Sequence, residues 1–190
     1  YVNLKDAYKS LDEALTHGGI SNKVKVNLIR IESDKLKPNQ IAKKLKNISG
    51  LLIPGGFGKR GTEGKITAIK YARERKIPFL GICFGMQMAI IEFARNKLKI
   101  KKAGSTELDR NCYPVVGLIN EWNKDGKIIR GTDKDLGGTM RLGLYDAILR
   151  NNSAIKKIYK STSIKERHRH RYEAVSYTHL TLPTKWGVCV

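Results

Sequence analysis

The sequence predicts an α/β domain with a mostly parallel central sheet flanked by helices. Three observations carry this expectation. Short apolar runs alternate with helix-period segments between residues 24 and 94. Two of those runs, Leu51-Leu52-Ile53 and Pro78-Phe79-Leu80-Gly81-Ile82, are each followed by a turn signal and then a helical pattern. Strands that alternate with helices are joined by crossovers, which make them parallel and cover both sheet faces. The chain has 190 residues, which suits one domain with a sizeable core.

The elements read as follows. Residues 4–17 predict a helix, since Leu4, Ala7, Tyr8, Leu11, Ala14 and Leu15 recur with a period near 3.6, and Gly18-Gly19 would end it. Val24-Lys25-Val26-Asn27-Leu28-Ile29 alternates as a strand does. Residues 38–45 predict a short helix and 51–53 a buried strand running into the loop Pro54-Gly55-Gly56-Phe57-Gly58. Residues 62–75 predict a helix, 78–82 a strand and 84–94 a helix. From Val115 onward, turn signals and short apolar runs predict strands with loops.

Composition narrows the class. With 41% hydrophobic and 28% charged residues, the chain reads as an ordinary soluble globular domain. It has neither an apolar run of membrane-spanning length nor a signal-peptide pattern. It starts at Tyr1 without an initiator Met, which predicts a start inside a longer protein. The net charge of +20 invites a nucleic-acid reading, but the lysines are scattered and no recognition motif accompanies them. A Lys-rich solvated surface is preferred, with a basic cleft for an anionic nucleotide as a third reading. Cys83, Cys112 and Cys189 show neither metal nor redox spacing, which predicts a reducing, cytoplasmic setting. His168 and His170 share one face of a predicted strand, with Arg167, Arg169 and Arg171 on the other. They have no partner ligand at fitting spacing, so no metal site is expected.

The chemistry concentrates at Gly81-Ile82-Cys83-Phe84-Gly85. A strand ends and a helix begins around a cysteine, with small residues two before and two after it, the pattern of a nucleophile elbow. A cysteine at a helix N-terminus is expected to favour thiolate, the attacking species in acyl transfer. Attack on an amide needs donors for the developing oxyanion. The Phe84 backbone N–H and the Gly55-Gly56 loop are the two supplies in view. In a parallel sheet, two such strand ends lie together at the carboxyl edge.

These stretches resemble class I glutamine amidotransferases: Pro54-Gly55-Gly56-Phe57-Gly58, then Gly81-Ile82-Cys83-Phe84-Gly85-Met86-Gln87. Three more segments are similar to the CTP synthase family: Asp6-Ala7-Tyr8-Lys9-Ser10, the run Asp135-Leu136-Gly137-Gly138-Thr139-Met140-Arg141-Leu142-Gly143, and Glu166-Arg167-His168-Arg169-His170-Arg171-Tyr172-Glu173. The resemblance covers residues 1–173 and implies a class I amidotransferase-like fold, truncated at its C-terminal end. It implies Cys83 as nucleophile, Gly56 and Phe84 as oxyanion donors, and a glutamine site formed by Gly56, Phe84, Gly85, Met86, Gln87, Glu107 and Arg171. A carboxylate such as Glu107 suits an α-ammonium group, and an arginine suits a carboxylate. Phe57 and Arg130 match positions of a GTP effector site, with an aromatic face for the base and a cation for phosphate. The resemblance further implies L-glutamine as substrate, a synthase domain that binds ATP and Mg, and a homotetrameric parent. Nothing in this chain matches that synthase domain, which lacks even a candidate Gly-Lys-Ser/Thr phosphate loop here.

One departure is chemical. A cysteine nucleophile needs a base, usually a histidine oriented by a carboxylate. The family supplies it in a His-Pro-Glu segment that this sequence does not contain. Residues 174–190, with His179 as their single histidine, read as a non-native tail similar to a translated sequencing adapter. Two other readings stand beside the main one: another cysteine hydrolase of the same fold, such as a peptidase or γ-glutamyl hydrolase, and a non-catalytic basic module that binds nucleic acid.

Overall fold

Two three-residue apolar runs form the parallel strand pair at the heart of the computed structural model. The structure describes residues 6–118, 121–124, 127–130 and 141–175, with side chains for 6–118 and 141–175. Strand β1 (Leu51–Ile53) pairs with β2 (Phe79–Gly81), with Leu51 opposite Phe79 and Ile53 opposite Gly81. Parallel neighbours cannot be joined by a tight turn. Helix α3 (Thr62–Arg75) makes the crossover, and α4 (Phe84–Asn96) leaves β2 directly. Ile53, Ile66, Ile69, Phe79, Phe84, Met88, Ile91, Val115 and Val116 are buried together as the main core. Both helices and both strands therefore share this core.

The helix pair is locked by a buried ion pair. Glu92, 1% exposed in α4, accepts from Arg73 of α3 at 2.8, 3.0 and 3.1 Å. The bidentate geometry offsets the desolvation of both charges, and the carboxylate raises the Arg73 pKa further. Removing one partner strands the other in the core. Arg73→Met is therefore expected to lower stability by about 3 kcal/mol in chemical denaturation. A midpoint equal to that of the parent chain would show the pair contributes nothing.

A second sheet has the order β3 (Ala103–Ser105), β4 (Tyr113–Leu118), β9 (Tyr172–Ala174). β3 and β4 are parallel, and β9 is antiparallel to β4 with Tyr172 opposite Leu118. Strands β5 (Glu121–Lys124) and β6 (Lys127–Arg130) form an antiparallel pair. β7 (Arg141–Ile148) and β8 (Ser163–His170) form another, connected through the short helix α5 (Ala154–Tyr159). This is an α/β arrangement with helices on parallel strand pairs, as the sequence predicts.

The structure corrects several boundaries. The first helix, α1, runs Lys9–Ser21 instead of 4–17, and passes through Gly18-Gly19. Its end is set one turn later, where Asn22 Nδ2 donates to the Gly18 carbonyl at 2.8 Å and the Val24 N–H to Gly19 at 2.9 Å. The alternating run 24–29 forms no strand among the described residues: Val24 is 59% and Ile29 68% exposed. Alternation makes a segment fit for a strand, but only a neighbour supplies the ladder. Helix α5 breaks the predicted succession of strands after Val115. Its signal is Ser153, whose hydroxyl caps the helix by accepting from the Lys156 N–H at 3.2 Å. The short helix over 38–45 appears as a 3-10 turn, Pro38–Gln40, running into α2 (Ile41–Lys44), with Ile41 and Leu45 buried.

Candidate active site

Cys83 sits between β2 and α4 with φ 52° and ψ −105°. A side-chain-bearing residue in that region stores about 1–3 kcal/mol of backbone strain, which the surroundings must hold. They do so closely. The Ile82 N–H donates to the Ile53 carbonyl at 3.0 Å, and the Gly85 N–H to the Ile82 carbonyl at 2.9 Å. Helix α4 then begins with the Gln87 N–H donating to the Cys83 carbonyl at 3.1 Å. The flanking glycines are required by close approach: a Cβ on Gly81 would lie 2.7 Å from Gly85 C, and one on Gly85 2.1 Å from the Ile53 oxygen. The elbow expected from the glycine spacing is thus a physical necessity of this turn.

The loop after β1 faces the elbow. Backbone N–H groups of Gly56 and Phe84 both act on the Cys83 thiol and favour its ionised form. These are the two N–H groups expected from the sequence beside Cys83. The net balance nevertheless runs the other way. Burial pushes the Cys83 thiol above the ordinary cysteine range, and the Glu107 carboxylate adds to that, outweighing the two N–H groups. Half-burial costs the anion more than these two backbone donors return. No imidazole is among the groups acting on this thiol among the described residues. Since the thiolate is the reactive form, alkylation of Cys83 by iodoacetamide is expected to rise with pH through a midpoint above that of a free cysteine, about 8.5. A midpoint below that value would mean a cation or base stabilises the thiolate.

The other predicted residues fall into three groups. Glu107 lies with the nucleophile and the loop: its Oε1 accepts from the Gly58 N–H at 3.0 Å. Phe84 and Gly85 are buried, and Met86 packs on the core. Gln87 is 5% exposed and donates to the Tyr172 carbonyl at 2.9 Å, which ties β9 to the first turn of α4. Arg171 is half-buried in the bend between β8 and β9, next to that tie. Phe57 presents a 73% exposed ring at the loop tip, the kind of face that can stack on a base. The side chain of Arg130, at the end of β6, lies outside the described residues, as do residues 135–140 and His179.

The two histidines do share a face of β8, His168 buried and His170 half-buried, with Arg167 and Arg169 exposed. Their Nδ1 atoms are 3.2 Å apart and Tyr145 packs edge-on against His168. Burial first, then Arg141, lowers the His168 pKa, against Glu166 and Glu173; burial first, then His168 and Arg141, lowers that of His170. Among the described residues no group of three His, Cys, Asp or Glu is placed to hold a metal ion. Sequence reading assigned Tyr8 no role, yet its hydroxyl donates to the Gly55 carbonyl at 3.0 Å. A contact across 47 residues leaves no mark in local spacing.

Comparison with known proteins agrees with this geometry. The family model of glutamine amidotransferase class-I matches residues 3–190. The chain belongs to this family. The amidotransferase is 77% identical over 173 residues to the CTP synthase of Pelagibacter ubique (strain HTCC1062), covering 91% of the chain and 32% of that protein. It is 56% identical over 176 residues to the CTP synthase of Zymomonas mobilis, again covering 91% of the chain and 32% of the relative. It thus spans about a third of the length of the curated relatives it matches. A solved structure described as the Trypanosoma brucei CTPS glutaminase domain with bound acivicin superposes with a TM-score of 0.78 at 34% identity, covering 92% of this chain and 65% of that one. No helix among the described residues is long and apolar enough to cross a membrane.

Proposed function

We propose that this amidotransferase is the glutaminase part of a CTP synthase, hydrolysing L-glutamine to supply ammonia for the ATP-dependent amination of UTP. The observation that carries the reading is the strained Cys83 elbow with the Gly56 and Phe84 N–H groups turned on its sulfur. In this reading Sγ attacks the side-chain amide carbon of glutamine. The carbonyl oxygen takes the negative charge and accepts from both N–H groups. Collapse of that intermediate expels ammonia, once its nitrogen is protonated, and leaves a γ-glutamyl thioester. Water adds to the thioester, the same two donors hold the second oxyanion, and glutamate leaves. Among the described residues no imidazole acts on the Cys83 thiol to take up these protons. Glu107 holds the α-ammonium group and Arg171 the α-carboxylate of glutamine.

The rest of the reading follows from likeness to CTP synthases. A synthase domain would bind ATP, Mg and UTP. GTP would act as an activator over Phe57 and Arg130, the parent would be a cytoplasmic homotetramer, and the +20 charge would be a solvated surface without nucleic acid as partner. The test joins this chain, carrying a family-like ending, to a synthase domain and follows CTP formation at fixed ATP and UTP. Cys83→Ala is expected to abolish glutamine-driven CTP formation and to leave the ammonia-driven rate intact. Glu107→Ala or Arg171→Ala is expected to lower kcat/KM for glutamine by about tenfold to a hundredfold, the loss of one charge-assisted bond. Equal losses with glutamine and with ammonia would assign both residues to the fold and remove them from the site.

A further inference from the structure

The peptide unit between Gly55 and Gly56 carries both the carbonyl that Tyr8 holds and the N–H that faces Cys83. The peptide is planar and trans, so its C=O and N–H point in opposite directions. A donor fixed on one side therefore sets the aim of the N–H on the other. This peptide needs such a device. Both of its residues are glycines, for which rotation of the peptide plane meets little steric resistance. A Cβ built on Gly56 would meet nothing within 4 Å, and one on Gly55 would meet only the Cys83 Cβ at 3.6 Å and the Ile82 oxygen at 3.9 Å, both ordinary contacts. The loop is pinned at its far end by the Gly58 N–H donating to Glu107 at 3.0 Å, which does not fix the Gly55–Gly56 plane.

We propose that Tyr8 is a positioning residue for the oxyanion site: its hydroxyl, at 3.0 Å from the Gly55 oxygen, holds the Gly55–Gly56 peptide so that the Gly56 N–H points at the reacting centre. The proposal rests on the reading of Cys83 as an acyl-transfer nucleophile. Tyr8 stands in the turn immediately before α1, so the placement of that helix on the loop tunes the donor geometry. Loss of the phenol would free the peptide to turn its carbonyl, an acceptor, toward the developing negative charge. Ground-state glutamine, held by its α-substituents, would bind as before.

The experiment compares the full chain with Tyr8→Phe, which removes one oxygen and keeps the ring. The probes are L-glutamine and the aldehyde of the same carbon skeleton. Cys83 Sγ adds to the aldehyde carbon and its proton passes to the oxygen, giving a hemithioacetal whose oxygen occupies the oxyanion position. Its equilibrium affinity reads that position without needing turnover. Tyr8→Phe is expected to weaken aldehyde binding by about tenfold to a hundredfold. Glutamine affinity and the unfolding midpoint are expected to stay unchanged. Unchanged aldehyde affinity would overturn the proposal, and so would an equal loss for aldehyde and glutamine, which marks a structural role. If the parent chain bound the aldehyde no tighter than glutamine, the nucleophile reading itself would fail, whatever Tyr8→Phe did.

Discussion

The chain as written is expected to release ammonia from glutamine about a thousandfold or more slowly than a version in which an ending with His-Pro-Glu replaces residues 174–190. The chemistry of Cys83 dictates the direction. Burial and Glu107 hold its thiol protonated near neutral pH, and the two backbone N–H groups do not reverse this. A proton must therefore leave Sγ as it attacks and reach the departing nitrogen. Backbone amides cannot carry it, and no imidazole acts on the thiol among the described residues. Loss of base function in a nucleophile–base pair costs several orders of magnitude in rate. Ammonia release measured on both chains, at matched concentration of folded protein, checks the expectation. Comparable turnover would mean that a base lies within the 190 residues, with His179 the first to replace.

Gly85→Ala is expected to have the largest effect on the fold of the site. The added methyl would lie 2.1 Å from the Ile53 oxygen, which also accepts the Ile82 N–H. The neighbour is backbone in the buried strand pair, so no side chain can swing away. Relief requires β1 to move off α4 or Cys83 to leave its φ of 52°. Either change costs about 3 kcal/mol or more and disperses the oxyanion donors. Thermal unfolding and the Cys83 alkylation profile are expected to change together. A matched control is Gly18→Ala in α1, where a Cβ meets nothing within 4 Å and a helical alanine gains about 0.5–1 kcal/mol. A Gly85→Ala chain as stable as the parent, with the same alkylation midpoint, would remove the steric account of the elbow.

Much of this architecture was legible locally. The helix over residues 62–75 was expected within the bounds that the structure gives α3, because its apolar period and the turn signals at both ends are short-range properties. The elbow was legible for the same reason: Gly81 and Gly85 flank Cys83 within one turn, and a Cβ on Gly81 would meet Gly85, although the clash that makes Gly85 necessary is with Ile53 on β1 and is tertiary. The run 24–29 was misread because a strand is a relation between two segments. Its alternation could not reveal that no ladder partner would meet it among the described residues. The first helix was ended too early because glycine is a weak stop, and the real one is Asn22 with its side chain on the Gly18 carbonyl.

By itself, then, the sequence determined the order of strands and helices around Cys83, the turn that presents its sulfur and the backbone donor that follows it. Each depends on residues within a few positions of one another. Tertiary structure alone decided the electrostatics and the aim of the site. Burial and the Glu107 carboxylate raise the pKa of the thiol. Tyr8 reaches across 47 residues to the Gly55 carbonyl, and Gln87 across 85 to Tyr172. Desolvation and long-range hydrogen bonds depend on which surfaces meet in space, and neither residue spacing nor periodicity records that.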